Sequence, residues 1–189
     1  MSHGDGRIKI WRRQRQRFAD RNVLERDAWG GPSVMIWAGI GLNARLGPMS
    51  FQNMGQGRGH GVTAQRYIDQ VIRPHVVPFF TQHQNPPFQQ DNARPHVARA
   101  TMDFLQQHNI RILQWPALSS DLNPIERLWD EVQRRLNEAR PVPTTADELR
   151  TAVLDVCRRI PRAFANRLIH SMYRRCVAVI DANGGHTRY

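Results

Sequence analysis

The chain has 189 residues, 40% of them hydrophobic, and a formal net charge of +11 at pH 7. Its length and composition predict one folded domain, with or without a small appendage, and exclude a disordered chain. No apolar run approaches the roughly 18 residues of a membrane span, and the first residues have no apolar signal core. We therefore expect no membrane association.

The positive charge is almost entirely arginine, because Lys9 is the only lysine. The planar guanidinium fork matches phosphate oxygens and stacks on bases, so this composition favours a nucleic-acid partner. A genome that encodes arginine rather than lysine on an ordinary surface is the alternative. One basic run lies beside Trp11 and Phe18, where it either tracks a phosphate backbone or forms a solvated face; its arginines are Arg12, Arg13, Arg15 and Arg17.

The first half of the chain is predicted to contain strands followed by a helix. Residues 7–12 alternate as a half-buried strand does, whereas 34–40 form an apolar run typical of a strand buried on both faces. Residues 48–51 are predicted to be its hairpin partner. A helix should begin after Thr63, and two prolines should kink or end it. Its apolar positions are Tyr67, Ile68, Val71, Ile72 and Val76.

The second half of the chain is predicted to contain a strand, a helix and another strand, followed by helices only. Short strands are expected at 88–91 and 111–115, with a helix between them up to about residue 108. Further helices are expected from Asn123 to about Arg140, from a cap at Thr144 or Thr145, and from Pro161 to about residue 184. This order predicts an α/β fold with a mixed sheet flanked by helices and its site beyond the strand ends. We divide the chain into a core, 1–140, and C-terminal helices packed on it, 141–189.

Two acids stand where such a site is expected. Asp91 ends a predicted strand, and Glu126 follows it after 34 intervening residues, at a predicted helix start. Each also has a purely structural interpretation: Asp91 as a turn or cap residue, and Glu126 as the third residue of a capping box headed by Asn123. The roles are compatible, because a helix start favours an ionised carboxylate and such oxygens are ligands for Mg²⁺.

Other polar residues near these acids keep more than one interpretation. Asp121 is a candidate cap, while Asp130 and Glu131 are candidates for support of the site or for solvated charge. His96 either contacts a DNA phosphate, orients the site or is structural. The cysteines, Cys157 and Cys176, fit no metal-ligand spacing and are expected to be buried.

Several motifs in order resemble the catalytic domain of mariner-type transposases, and more narrowly the Tc-one-like branch. They are residues 88–96, Phe-Gln-Gln-Asp-Asn-Ala-Arg-Pro-His, and 115–129, Trp-Pro-Ala-Leu-Ser-Ser-Asp-Leu-Asn-Pro-Ile-Glu-Arg-Leu-Trp. Stretches at 6–13, 31–37 and 64–69 are also similar. The 34-residue spacing matches the second and third acids of that branch.

The resemblance implies a ribonuclease-H-like fold and an Asp-Asp-Glu triad that holds two Mg²⁺ or Mn²⁺ ions. It implies cleavage of double-stranded DNA at transposon ends and strand transfer in the nucleus, with a possible homodimer. Asp91 and Glu126 match the second and third acids, and Arg94 and His96 join the basic run as candidate DNA contacts. The first acid and its strand would precede Gly6, where only Asp5 is acidic.

We therefore expect an amino-terminally truncated domain, without its first strand and with impaired activity. Two alternatives stay open. One is a non-catalytic DNA-binding or dimerising remnant of a transposon, and the other is a metal-dependent nuclease of the same fold that acts outside transposition.

Overall fold

The computed structural model describes residues 34–51, 61–83, 86–117, 119–185 and 187. The predicted strand at 7–12 lies outside them. The first described elements form an antiparallel hairpin of β1, Ile36–Gly41, and β2, Ala44–Ser50. Asn43 turns it with φ of 56°, a left-handed conformation that asparagine tolerates well. The predicted hairpin is confirmed, although its second strand begins four residues earlier than expected.

The next helical path continues through both prolines. It consists of α1, Ala64–Tyr67, a π-helical segment, Ile68–Val76, and α2, Val77–Gln82. Pro74 has no N–H to donate to the usual helical acceptor, and the wider π turn accommodates it. Of the two predicted outcomes, a kink or an end, the structure excludes the end; Pro78 lies in the first turn of α2, within the continuous path. The five predicted apolar positions are all buried.

The two predicted strands around residues 88 and 112 are reduced to a single parallel bridge. Phe88 donates its N–H to the Arg111 carbonyl at 2.8 Å, and Leu113 donates to the Phe88 carbonyl at 2.8 Å. The helix between them is divided at Ala98 into α3, Arg94–Val97, and α4, Arg99–Gln107. Across the break, buried Thr101 donates its hydroxyl to the Pro95 carbonyl at 2.7 Å, which keeps that carbonyl paired.

The helices of the second half begin where their caps predict. They are α5, Pro124–Glu138, and α6, Ala146–Arg159, followed by α7, Arg162–His170, and α8, Met172–Asp181. Thr145 and Glu148 form a complete capping box at the start of α6. The single helix expected after Pro161 is divided at Ser171. After α8 the chain turns at Gly184, whose φ of 78° glycine adopts without a steric penalty.

Two hydrophobic cores lie on the two faces of the hairpin. The first joins Trp37, Leu46 and Met49 of the hairpin to the long helical path, α4 and the parallel bridge. The second joins Ile36 and Ile40 to apolar side chains of α5, α6 and α7. The hairpin thus packs against a core on each face, but all six residues of β1 stay partly exposed, so the predicted full burial is not reached. The C-terminal helices pack on it and on α5, whereas the division at residue 140 stays a prediction.

The expectation for the cysteines is right for one thiol only. Cys157 is buried, but Cys176 is exposed on α8, so the expectation that both thiols are buried is wrong for Cys176. None of the helices in the described ranges is both long enough and apolar enough to cross a membrane.

Candidate active site

The parallel bridge brings the two predicted site segments to one edge of the fold. Since Phe88 pairs with Ile112, Asp91 and Trp115 leave the bridge at the same level. Asn92 joins the two segments, because its side-chain amide donates to the Trp115 carbonyl at 3.0 Å and to the Pro116 carbonyl at 3.4 Å. From Pro116 the chain proceeds to α5 and Glu126.

One oxygen of Asp91 is held by two hydrogen bonds. Oδ1 accepts the Ala93 N–H at 3.0 Å and the His96 Nδ1–H at 2.5 Å. The His96 hydrogen bond, with the Ala93 N–H and the charge of His96, outweighs burial and lowers the pKa of Asp91 below its ordinary value. The side chain is 53% exposed. Oδ2 accepts no hydrogen bond from the described residues, and the lowered pKa keeps the carboxylate ionised at neutral pH.

A buried network lies behind His96. Its ring packs on the Tyr67 ring at a centroid distance of 4.4 Å, and the Tyr67 hydroxyl donates to Gln90 Oε1 at 3.0 Å. Gln90 in turn donates to the His96 carbonyl at 3.1 Å. Burial raises the pKa of Tyr67 well above its ordinary value, so its hydroxyl stays a donor. The sequence predicts Tyr67 only as a core residue; its signal was a hydroxyl on an otherwise aliphatic helix face.

Glu126 lies in the first turn of α5, as predicted. Asn123 caps the helix, since its Oδ1 accepts the Ile125 N–H at 3.3 Å, and Pro124 occupies the first helical position. The Asn123 N–H, which a capping box pairs with the glutamate, already donates to the Ser120 carbonyl at 3.0 Å. The helix start, where the backbone dipole is positive, favours an ionised carboxylate at Glu126.

The other candidate acids on α5 are engaged in ion pairs. Asp130 pairs with Arg127 at 3.2 Å. Glu131 accepts from Arg134 at 2.9 Å and from Arg135 at 2.7 Å, and these bonds lower its pKa to about 2. Their carboxylates therefore hold neighbouring arginines of the same helix.

Asp121 does not cap α5 but lies in the 3-10 turn before it, Ser120–Leu122. Its Oδ1 accepts the Leu122 N–H at 3.0 Å, and its Oδ2 accepts the Thr187 hydroxyl at 2.9 Å. This acid is therefore tied to the C-terminal end of the chain.

Of the six predicted DNA contacts, only Arg94 and His96 lie within the described residues. Arg94 is exposed in the first turn of α3, three residues after Asp91, whereas His96 is largely occupied with Asp91 and is 20% exposed. Arg12, Arg13, Arg15 and Arg17 lie outside the described residues. Among the residues that are described, no group of three or more His, Cys, Asp or Glu side chains could hold a metal ion. The candidate metal ligands found here are thus a pair of carboxylates.

These features define an α/β protein with one carboxylate, Asp91, after a bridge segment and another, Glu126, at a helix start. Residues 12–150 match the family model described as DDE superfamily endonuclease, and the chain belongs to this family. It is 32% identical over 187 residues to the Tc1 transposase of Caenorhabditis elegans, covering 98% of this chain and 65% of that protein. The chain thus spans a little under two thirds of that relative's length.

Solved structures agree with this assignment. The Mos1 transposase catalytic domain, solved with raltegravir and Mg, is 27% identical with a TM-score of 0.59, covering 69% of this chain and 67% of that one. A pre-cleavage Mos1 transpososome has the same fold at 20% identity and a TM-score of 0.70, covering 96% of this chain and 52% of that one. The resemblance to mariner-type transposases and the ribonuclease-H-like fold class are confirmed.

Proposed function

We propose that this chain is a transposase catalytic domain that cleaves and joins DNA strands with divalent metal ions, Mg²⁺ or Mn²⁺. The observation that carries the proposal is the arrangement at Asp91: two hydrogen bonds fix Oδ1, Oδ2 accepts none from the described residues, and the side chain is 53% exposed. Membership in an endonuclease family and the transposase relatives support the same reaction.

Asp91 and Glu126 are the residues that would hold the ions. Their oxygens fit hard divalent cations, which prefer one or two carboxylates with water and substrate phosphate. When bound, two such ions can stabilise the attacking and the leaving oxygen of a phosphodiester. The chain itself holds Asp91 ionised through His96 and places Glu126 at the positive end of α5.

The charge of the chain supports DNA as the substrate. The formal net charge is +11. Several exposed arginines form no ion pair with another described residue, and these are Arg94, Arg111, Arg159, Arg162 and Arg174. Unpaired guanidinium groups can release counterions from a phosphate backbone, so the affinity for DNA should decrease steeply with salt.

Cleavage of DNA that carries a transposon end tests the reaction. With Mg²⁺ or Mn²⁺ present, Asp91→Asn and Glu126→Gln should each lower the cleavage rate by roughly a hundredfold or more, as expected when a group that stabilises the transition state is lost. The matched controls are Asp103→Asn, an acid paired with Arg99 on α4, and Glu138→Gln at the far end of α5. Equal cleavage by the wild type and both site variants would exclude these residues as ligands. Cleavage of unrelated DNA at the same rate would favour a nuclease outside transposition.

A second candidate function is DNA binding without cleavage. It is favoured by the observation that the described residues bring together no group of three metal-binding side chains. It predicts DNA binding that is independent of sequence and unchanged by Glu126→Gln, with no metal-dependent cleavage. Arg94→Ala should reduce the slope of log affinity against log salt by about 1 if this arginine contacts a phosphate. A wild-type protein that ignores DNA at low salt contradicts both candidate functions.

We also propose a homodimer and a location in the nucleus, where chromosomal DNA is available. Sedimentation with and without transposon-end DNA tests the first, and imaging of the tagged chain tests the second. A monomer under both conditions, or exclusion from the nucleus, contradicts the respective proposal.

A further inference from the structure

Arg175 on α8 is the only arginine buried within the described ranges, with 2% of its surface exposed. Its Nη1 donates to the Asp121 carbonyl at 2.6 Å, and its Nε donates to the Ser171 hydroxyl at 2.9 Å. A guanidinium removed from water is tolerated only where its donors are paired. The bond to Ser171 orients the guanidinium on α8, and the charge-assisted bond to Asp121 joins α8 to the 3-10 turn Ser120–Leu122.

The same turn is held a second time, by its side chain. Asp121 Oδ2 accepts the Thr187 hydroxyl at 2.9 Å, while Oδ1 accepts the Leu122 N–H within the turn. Arg175 thus holds the backbone of Asp121, and Thr187 holds its carboxylate, across 54 and 66 residues of sequence. Both contacts come from beyond residue 150, where the family match ends.

The turn determines where α5 begins. The Asn123 N–H donates to the Ser120 carbonyl at 3.0 Å, and Asn123 Oδ1 then caps the helix at Ile125. Glu126 follows in the same first turn of α5. A displacement of the 3-10 turn would therefore move the cap, and with it the carboxylate of Glu126.

We propose that Ser171, Arg175 and Thr187 form a C-terminal clamp that fixes the 3-10 turn and thereby positions Glu126. These are positioning residues, because the hydrogen bonds described above lead to Glu126 through Asp121 and Asn123. The effect of the clamp on catalysis rests on the proposed function of Glu126 as a metal ligand. The effect of the clamp on the 3-10 turn does not depend on that function.

Amide hydrogen exchange of the metal-free protein tests the clamp. Thr187→Val removes the hydroxyl at nearly constant volume, and it should accelerate exchange at Leu122, Asn123 and Ile125 about fivefold, as expected for the loss of one hydrogen bond. Thr187→Ser keeps the hydroxyl and should restore the wild-type rates. Thr151→Val is the matched control, since it removes a threonine hydroxyl bond on the exposed face of α6.

The proposal is overturned if Thr187→Val leaves the three amides unchanged, or if exchange rises equally in the β1–β2 hairpin, which indicates general destabilisation. Arg175→Ala should have a larger effect on the same amides, but the clamp is decided by the milder threonine variants if the arginine variant does not fold.

Calorimetric titration with Mn²⁺ separates the clamp from the proposed function. Thr187→Val should weaken Mn²⁺ binding several-fold relative to the wild type and Thr187→Ser. A wild type that binds no Mn²⁺ contradicts the proposed function, and the exchange rates still decide whether the clamp holds the turn. Equal Mn²⁺ affinity in both variants, with faster exchange only in Thr187→Val, overturns the positioning of Glu126.

Discussion

The two candidate ligands are positioned by different devices. Asp91 lies on a loop after a single parallel bridge, and its orientation depends on side-chain hydrogen bonds to His96 and Ala93. Glu126 lies on a 15-residue helix whose start is set by a cap and by the preceding turn. The Asp91 region is therefore sensitive to individual side chains, whereas the Glu126 region is sensitive to the backbone path into α5.

Asp91 is therefore positioned mainly by residues near it in sequence, whereas the turn before Glu126 is positioned by residues far from it in sequence. The residues that support Asp91 are close to it in sequence or lie on one neighbouring helix. Gln90 and His96 are within six residues of Asp91, and Tyr67 lies at the end of α1. The turn before Glu126 is held at Asp121 by Arg175 of α8 and by Thr187, which are 54 and 66 residues away from Asp121 in sequence. The largest effects should come from the cores beneath each carboxylate, and the smallest from surface charge.

The largest expected effect is in the core beneath Asp91. Leu105 on α4 is fully buried, so Leu105→Ala should lower the free energy of unfolding by about 2–5 kcal/mol. Urea unfolding measures this loss. Met102→Ala on the same helix is the control, because its side chain is 37% exposed and its loss should be below about 1 kcal/mol. Equal losses in the two variants would show that Leu105 does not belong to the core.

An intermediate effect is expected at the cap of α5. Asn123→Ala removes the acceptor of the Ile125 N–H and should lower the free energy of unfolding by about 1 kcal/mol. Asn123→Ser keeps a capping oxygen and should recover most of the loss. If both variants match the wild type in urea unfolding, the start of α5 is fixed by the 3-10 turn alone.

The corresponding change in the Asp91 region is His96→Leu. It removes the donor to Asp91 Oδ1, so the pKa of Asp91 should rise toward 3.8, its ordinary value. A carboxyl whose pKa is lowered stabilises the fold above its ordinary pKa and loses that effect as the pH falls through the lowered value. The lost bond to Asp91 in His96→Leu should therefore cost about 1 kcal/mol at neutral pH, and this part of the cost should disappear in strong acid.

Carboxyl-carbon NMR titration measures this pKa directly. His96→Asn is the control, because its side-chain amide presents a donor near the position of Nδ1 and should keep the pKa of Asp91 low. A low pKa in His96→Leu would mean that the Ala93 N–H alone holds the carboxylate.

The smallest effect is expected from the surface charges of α5. Arg134 and Arg135 lower the pKa of Glu131 from 4.5 to about 2. This group stabilises the fold above pH 4.5 and loses that contribution as the pH falls toward 2. Glu131→Gln should lower the thermal midpoint slightly at neutral pH, and the two midpoints should converge near pH 2. If the two thermal midpoints still differ near pH 2, the difference is not caused by the charge of Glu131.

Local patterns in the sequence predicted most of the helix starts and the buried helix face. Thr63, Asn123 and Thr145 cap helices as predicted, since a capping side chain bonds to backbone only two or three residues away. The prolines were predicted to kink or end the helix after Thr63, and they do not end it. Its apolar face packs against the hairpin and the bridge segment, and this contact outweighs the local cost of the π segment.

The sequence by itself determined the family resemblance, the α/β class and the identity of the two acids, because these depend on residue type and spacing. Only the tertiary structure decided which groups hold those acids. The roles of Gln90 and Arg175 have no local signal, and the hydroxyl of Tyr67 does not reveal its partner, since each of the three acts across a gap of sequence that only the fold closes. Their hydrogen bonds are required by burial, and burial is a property of the assembled fold.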